Sequence, residues 1–230
     1  QLDPSWATKN LAAGRPSKVV FVFAHGYGGT RGSWTEVMPL LAAKGIDSIA
    51  PAMPAQDASP EPQVGFGFRE ADTMVAAADW VRAKSPGVKV IYAGVSMGGA
   101  AAWLASEKDP TAVGVVSDGA YAHFDEAMYH WFERKASGAS YYLRPVIWIA
   151  SAMAGLNPAN IVPENSAAKW KGKPALVIQA GEDKLISRSH ADRLANASGA
   201  ALWVVPGAEH VTCIDIAKPA YLTSLVGFAQ

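Results

Sequence analysis

A serine stands between two glycines in residues 94–98, which read GVSMG. Gly94 and Gly98 flank Ser96 at two residues on either side, the spacing that a strand needs when it turns sharply into a helix. Such a turn exposes the hydroxyl at the carboxyl end of a sheet, beside the free N–H groups that begin the helix. Those groups can stabilise developing negative charge, so the motif predicts a nucleophile beside half of an oxyanion hole. In the alternative interpretation, Ser96 is only a helix cap.

The sequence on both sides of the serine favours the nucleophile. Residues 89–95 form a run of β-branched and aromatic side chains, which is typical of a strand. Residues 100–105 are rich in alanine, a strong helix former. A strand, a tight turn and a helix are therefore predicted in the order that the motif requires.

A serine hydroxyl is a poor nucleophile until a base takes its proton, so a histidine is needed later in the chain. His210 follows the predicted strand at residues 201–205 and precedes the last predicted helix, which places it at the same sheet edge as Ser96. His25 also follows a strand, but its loop is better suited to supplying a backbone donor. The other histidines are His123 and His130, in a predicted insertion, and His190, on a predicted helix.

The histidine in turn needs a carboxylate that holds its tautomer and stabilises the imidazolium. Asp183 follows the predicted strand at residues 175–180 and is the favoured candidate. Asp118, also at the carboxyl end of a predicted strand, is the main competitor. Glu182 and Glu209 are further alternatives.

Apolar runs alternate with helical patterns along most of the chain. Strands are predicted at residues 18–24, 47–53, 89–95, 112–117, 175–180 and 201–205, and helices at 34–44, between 67 and 86, from 97, at 189–197 and from about 213. Continuous apolar runs are typical of strands buried on both faces of a parallel sheet. The alternation predicts an α/β fold with a doubly wound, mainly parallel sheet. Residues 1–17 show no sustained period and are interpreted as an irregular lead-in.

Residues 120–170 break the alternation: they contain no clear central strand and many aromatic residues. We interpret them as a small cap insertion over the carboxyl edge, where such sheets bind ligands, within a single domain spanning residues 1–230. Candidate substrate contacts are Trp34, Tyr121 and Trp148. An apolar group in the insertion could line an acyl pocket or only pack the cap onto the sheet; its members are Tyr141, Tyr142, Val146, Ile147, Trp148, Ile149 and Met153.

Composition excludes several classes of protein. The 230 residues carry 20 Lys and Arg against 20 Asp and Glu, and this balance does not favour a nucleic-acid partner. Cys213 is the only cysteine, so an internal disulfide is impossible, and no spacing resembles a metal site. The longest apolar stretch, residues 145–156, is too short to span a bilayer. The chain begins with Gln1 rather than Met, so a soluble chain is expected whose compartment stays open between cytoplasmic and processed or exported. No oligomeric state is predicted.

The motifs resemble those of the α/β-hydrolase fold family, from residue 18 onward. The matching segments are HG at 25–26, GVSMGG at 94–99, GEDKLI at 181–186 and AEHV at 208–211. The order Ser, Asp, His is the family's order. The resemblance, which is closest to monoacylglycerol-lipase-like hydrolases and relatives of unassigned substrate, implies an oxyanion hole formed by the N–H groups of Tyr27 and Met97. Two departures are the family's additional early strands, which are not predicted here, and its Asp-x-x-Gly-x-Gly segment, replaced by PAMPAQD at 51–57.

The sequence therefore predicts a serine hydrolase of small carboxylic esters that needs no cofactor and no metal. Alternatives with the same chemistry are an amidase or peptidase, a thioesterase and an acyltransferase. Dehalogenase and epoxide hydrolase chemistry is disfavoured, because those relatives carry an aspartate where Ser96 stands. The alternative from another class is a binding module that kept the fold without activity.

Overall fold

A seven-stranded sheet runs through the residues that the computed structural model describes, which are 7–10, 19–135, 145, 152 and 155–229. Its strands are β1 (Ala7–Asn10), β2 (Val19–Ala24), β3 (Asp47–Pro51), β4 (Lys89–Val95), β5 (Gly114–Asp118), β6 (Ala175–Ala180) and β7 (Ala201–Val205). Their spatial order is β1-β3-β2-β4-β5-β6-β7. Strands β2 to β7 pair in parallel, and only β1 is antiparallel to its neighbour. The predicted doubly wound, mainly parallel sheet is confirmed.

Helices connect the strands and cover both faces of the sheet. They are α1 (Met38–Ala42), α2 (Phe68–Lys84), α3 (Met97–Lys108), α4 (Phe124–Lys135), α5 (Pro163–Lys169), α6 (Arg188–Ser198), α7 (Cys213–Ile216) and α8 (Lys218–Phe228). Short 3-10 turns occur at Arg31–Trp34 and Pro158–Asn160.

Alternate residues of the central strands enter two cores on opposite faces of the sheet. In β2, Phe21 packs with Leu41 of α1 and with the residues of α8 on one face. Val20 packs on the other face with Met74 of α2 and Trp103 of α3. Because both faces are covered, the inner strands read as continuous apolar runs rather than as an alternating pattern.

Strand β1 corrects the interpretation of residues 1–17 as an irregular lead-in. Residues Ala7–Asn10 pair antiparallel with β3, with Ala7 opposite Pro51. An edge strand of four residues obtains its hydrogen bonds from its partner and needs no long apolar run, so periodicity gives no signal for it.

The helix predicted at residues 34–44 is shorter in the structure. Thr30 accepts a hydrogen bond from the N–H of Gly32 and begins a 3-10 turn, and α1 itself starts only at Met38. Pro39 lies in the first turn of α1, because proline lacks the N–H that a helix interior requires. Gly45, directly after the predicted end of this helix at residue 44, has a φ of 77°, a conformation that commonly ends helices.

The described parts of residues 120–170 contain helices α4 and α5. Helix α5 packs against α3 and α6 in the layer on one face of the sheet. Arg193 of α6 ties these elements together, since its guanidinium lies 2.7 Å from the carboxylate of Glu126 on α4 and 2.6 Å from that of Glu164 on α5. This network fixes the start of α4 beside the carboxyl edge of the sheet.

Candidate active site

Ser96 occupies the single position between the end of β4 at Val95 and the start of α3 at Met97. Its φ of 53° and ψ of −120° lie in a region that a residue with a side chain rarely adopts. The N–H of Ser96 donates to the carbonyl oxygen of Asp118 at 2.7 Å, which ties the turn to the neighbouring strand β5. The sequence predicted a strained strand-to-helix turn here, and the backbone has that conformation.

The two glycines that flank Ser96 cannot carry a side chain, because backbone atoms occupy the space that a Cβ would need. A Cβ at Gly94 would lie 2.3 Å from the carbonyl oxygen of Gly98, and a Cβ at Gly98 would lie 2.3 Å from that of Ala24. The loop after β2 also approaches the serine, since a Cβ at Gly26 would lie 3.3 Å from the Cβ of Ser96. The turn can therefore form only where these backbones meet without side chains.

His210 links Ser96 to Asp183. Its Nε2 lies 2.9 Å from Ser96 Oγ, and its Nδ1 lies 2.7 Å from Asp183 Oδ2. The Asp183 side chain is 1 % exposed and that of His210 is 17 % exposed. Asp183 follows β6 and His210 follows β7, so the carboxyl ends of three parallel strands bring together groups that are distant in the chain.

The loop after β6 holds the Asp183 carboxylate in one orientation. Its Oδ1 accepts hydrogen bonds from the N–H groups of Leu185 at 2.9 Å and Ile186 at 2.8 Å. The Nε2 of Gln179, a fully buried side chain on β6, lies 3.4 Å from Oδ2. The sequence analysis missed Gln179, although one amide side chain in the otherwise apolar ALVIQA strand is a signal for a buried polar role.

Asp118 ends β5 beneath the same edge but does not contact the imidazole. Among the described residues, neither of its carboxyl oxygens has a partner in hydrogen-bond geometry. Burial raises the pKa of Asp118 to about 7, although Cys213, Tyr221 and the charge of His210 favour its ionised form. Of the two competing aspartates, the structure brings only Asp183 into contact with His210.

Two backbone N–H groups are available next to the serine. Met97 is the first residue of α3, and Tyr27 directly follows Gly26 in the loop after β2. No hydrogen bond within the described part of the chain uses the N–H of Tyr27 or Met97. The buried His25 supports this loop, because its Nδ1 donates to the carbonyl oxygen of Gly26 at 2.9 Å. Burial also lowers the pKa of His25.

The other predicted contacts fall in different places. Trp34 is 3 % exposed and stacks on Phe23, with ring centroids 4.3 Å apart. The structure therefore brings Trp34 into the core rather than to Ser96. Tyr121 is buried and donates its hydroxyl to the carbonyl oxygen of Phe66 at 2.7 Å. Trp148, like the rest of the apolar group of the insertion (Tyr141, Tyr142, Val146, Ile147, Ile149 and Met153), lies outside the described residues.

The remaining histidines make contacts of their own. His123 Nε2 lies 3.1 Å from the carboxylate of Glu164, and His190 Nδ1 accepts from the N–H of Ala122 at 3.2 Å. His130 is exposed on α4. The structure joins only His210 to the serine.

An open groove of about 430 Å³ lies beside the imidazole. It is lined by Trp131, Arg134, Glu182, Lys184, Leu185, Glu209 and His210. Glu182 and Glu209, the alternative carboxylates, therefore line the groove, whereas Asp183 contacts His210 Nδ1.

The sequence model of the alpha/beta hydrolase fold family matches residues 19–153, more than half of the chain. The protein belongs to the α/β-hydrolase fold family. Solved structures of low sequence identity share its fold. The Pyrococcus furiosus esterase Pf2001 superimposes with a TM-score of 0.72 at 18% identity, covering 92% of this chain and 82% of that chain.

Two other solved structures of this fold are of similar length. One is described as LipS and LipT, two metagenome-derived lipolytic enzymes, and matches with a TM-score of 0.71 at 18% identity over 100% of this chain and 99% of that chain. The monoacylglycerol lipase of Paleococcus ferrophilus matches with a TM-score of 0.70 at 16% identity over 97% of each chain. No curated protein matches the sequence.

Two features are absent from the described part of this α/β-hydrolase-fold chain. Within residues 7–10, 19–135, 145, 152 and 155–229, no group of three or more His, Cys, Asp or Glu side chains could hold a metal ion. No helix in that same part of the chain has the length and apolar character needed to cross a membrane.

Proposed function

We propose that the protein is a serine hydrolase that cleaves carboxylic esters through an acyl-enzyme on Ser96. The observation that carries this proposal is the unbroken chain of contacts from Asp183 through His210 to Ser96. A serine hydroxyl held at a strained turn, 2.9 Å from an imidazole that itself contacts a buried carboxylate, is the arrangement required for acyl transfer.

In the first half of the reaction, His210 Nε2 takes the proton of Ser96 as Oγ attacks the carbonyl carbon. Negative charge moves to the carbonyl oxygen, where the N–H groups of Tyr27 and Met97 stabilise it. The carbon–oxygen bond to the alcohol then breaks, and His210 donates its proton to the leaving oxygen. In the second half, His210 activates water in the same way, and the acid is released with Ser96 restored.

Asp183 has an orienting and electrostatic role in this scheme. As a carboxylate it can only accept, so it selects the tautomer of His210 with the proton on Nδ1 and leaves Nε2 free as a base. The N–H groups of Leu185 and Ile186 hold the other carboxylate oxygen, and this fixes the imidazole toward Ser96.

An ester is the preferred substrate class because three solved structures of this fold carry the names esterase, lipolytic enzyme and monoacylglycerol lipase. The open groove beside His210 suits a small molecule as substrate. Residues 120–170 are proposed to form the cap of a single domain.

Labelling with a fluorophosphonate probe tests the nucleophile directly. The folded protein should gain one phosphonyl group, located on Ser96 by peptide mass spectrometry, and Ser96→Ala should gain none. Ser189→Ala, which removes an exposed hydroxyl on α6, is the control and should be labelled like the wild type. Absence of labelling in the folded wild type would support a binding module instead, and equal labelling of Ser96→Ala would show that the reactive nucleophile is another residue.

A matched substrate series tests the bond that is cleaved. The butyryl ester of nitrophenol, the butyryl thioester and the butyryl anilide present the same acyl group with different leaving groups. We expect the ester to have the highest kcat/KM. A higher value for the anilide or the thioester would make the protein an amidase or a thioesterase that uses the same residues.

A further inference from the structure

Phe66 is held in an unfavourable backbone conformation next to the candidate active site. Its φ is 46°, in the left-handed region that an aromatic residue rarely adopts. Strained positions of this kind persist only where the surrounding structure holds them, and they are concentrated at functional sites. Phe66 lies between Gly65 and Gly67, immediately before α2.

Hydrogen bonds hold the backbone around Phe66. The fully buried carboxylate of Glu70 accepts from the N–H of Gly65 at 2.9 Å through one oxygen and from the N–H of Gly67 at 2.7 Å through the other. The hydroxyl of Tyr121 donates to the carbonyl oxygen of Phe66 at 2.7 Å. The carbonyl oxygen of Gly65 also accepts from the N–H of Phe68 at 3.0 Å, so the peptide groups on both sides of the strained residue are fixed.

The ring of Phe66 joins two parts of the site. It stacks on Phe124 of α4, with ring centroids 4.5 Å apart, and on Tyr27 of the loop after β2, at 5.6 Å. Tyr27 is 68 % exposed and Phe66 is half-buried, so one side of this stack faces solvent. We call Tyr27, Phe66 and Phe124 the aromatic wall.

The wall stands close to Ser96. Tyr27 directly follows Gly26, where an added Cβ would lie 3.3 Å from the Cβ of Ser96. On the other side, a Cβ at Gly67 would lie 3.5 Å from the Cβ of Ala100, whose N–H donates to the carbonyl oxygen of Ser96. Phe66 is thus positioned between the candidate oxyanion loop and the first turn of α3.

The groove beside His210 and the aromatic wall are candidate positions for the two parts of an ester. Because His210 Nε2 must protonate the leaving oxygen, the alcohol part of the ester lies toward the imidazole and its groove. The lining of that groove includes none of the three wall residues. This leaves the aromatic wall, which reaches the candidate oxyanion loop through Tyr27, as the position for the acyl part of the ester.

We propose that Phe66 is a specificity-determining residue that limits the acyl group, and that Glu70 and Tyr121 are positioning residues that hold it in place. This inference rests on the proposed function. The ring face of Phe66 is apolar, so it accepts aliphatic acyl chains. The fixed position of the ring sets the chain length beyond which an acyl group no longer fits. Each methylene that remains in contact should raise kcat/KM roughly threefold to fourfold.

The test uses Phe66→Gly, because glycine accepts a φ of 46° without strain and removes the ring. Nitrophenyl esters from acetyl to decanoyl are measured on the wild type and the variant. We expect the preferred acyl group to lengthen by two or more methylenes, and the ratio of kcat/KM for decanoyl over butyryl ester to rise about tenfold. Phe68→Ala is the matched control, since this exposed ring lies two residues further on and packs against Lys108 instead.

Glu70→Gln tests the positioning role, since an amide can accept from one of the two N–H groups but not from both. It should shift the chain-length profile in the same direction as Phe66→Gly, and the double variant should show no further shift. A loss of stability alone would lower all rates together and leave the profile unchanged.

The outcomes separate this inference from the proposed function. If fluorophosphonate labels Ser96 in folded Phe66→Gly at the wild-type rate and the chain-length profile does not move, the assignment of Phe66 is wrong while the hydrolase remains. If the wild type is neither labelled nor active on any ester, both proposals fail.

Discussion

Two contacts of one imidazole connect the residues on which the proposed reaction depends. His210 meets Ser96 through Nε2 and Asp183 through Nδ1, and neither contact is useful without the other. Without His210, Ser96 keeps its proton and is a poor nucleophile. Without Ser96, no hydroxyl is in place beside His210 to attack the carbonyl carbon. Groups coupled in this way lose activity together rather than in independent steps.

Substitution of the serine and the histidine tests this coupling. Ser96→Ala and His210→Ala should each lower kcat on an activated ester by about four orders of magnitude or more, and the double variant should cost little extra. Initial rates and circular dichroism of all three proteins measure activity and folding. Two effects that multiply in the double variant would mean that the residues act separately.

A comparison of two aspartates tests the choice of carboxylate. Asp183→Asn should lower kcat nearly as much as loss of the histidine, because an amide at this position favours the wrong tautomer of the imidazole. Asp118→Asn should lower it far less, since this carboxyl group has no hydrogen bond with His210 among the described residues. The assignment is wrong if Asp118→Asn is the more damaging change while both variants remain folded.

At the scale of secondary-structure elements, the site depends on the close approach of β2, β4 and α3. The first turn of α3 passes so near the end of β2 that a Cβ at Gly98 would lie 2.3 Å from the carbonyl oxygen of Ala24. Backbone cannot move aside as easily as the end of a flexible side chain. A methyl group at Gly98 must therefore displace the helix start, and Ser96 with it.

Gly98→Ala should destabilise the fold by about 2 kcal/mol or more and slow fluorophosphonate labelling of Ser96. Gly227→Ala is the control, because this exposed glycine in α8 has no atom within 4 Å of an added Cβ. Alanine there should stabilise the helix by roughly 0.5–1 kcal/mol. Urea unfolding and labelling rates measure both effects. Equal stability and equal labelling of the two variants would contradict this account of the turn.

At the scale of the whole molecule, a buried carboxyl group links stability to pH. Burial raises the pKa of Asp118 to about 7, whereas an aspartate in the unfolded chain titrates near 3.9. Between these values the folded state retains a proton that the unfolded state has lost. The contribution of Asp118 to the free energy of unfolding is therefore full below pH ~4 and declines as the pH rises to about 7.

Asp118→Asn keeps a neutral side chain at every pH and removes this decline. The free energy of unfolding of the variant minus that of the wild type should rise between pH 5 and 7, by up to about 1.4 kcal/mol per pH unit, and level off above. Urea titrations at pH 5, 6, 7 and 8 measure the difference, with Asp215→Asn as a control that removes an exposed charge. A difference that does not change with pH would show that Asp118 remains ionised throughout.

Local patterns in the sequence were sufficient for the fold class and for selecting the candidate catalytic residues. Covered parallel strands are recognised as continuous apolar runs, and the predicted strands at residues 89–95, 175–180 and 201–205 agree with β4, β6 and β7. Gly94 and Gly98 around Ser96 indicate a crowded turn, because a Cβ at either position would overlap neighbouring backbone atoms. These signals are local, so a single sequence contains them.

Tertiary structure decided what depends on distant groups. Asp118 ends β5 and Asp183 lies in the loop after β6, and only the placement of β6 beside β7 brings Asp183 against His210. Strand β1 could not be predicted, because β3 supplies its hydrogen bonds. The conformation of Phe66 is held by Tyr121, which follows β5 and lies 55 residues further along the chain. Strand order and loop contacts arise only when the chain folds. The partners of Asp183, β1 and Phe66 are distant in the sequence, so local patterns do not indicate them.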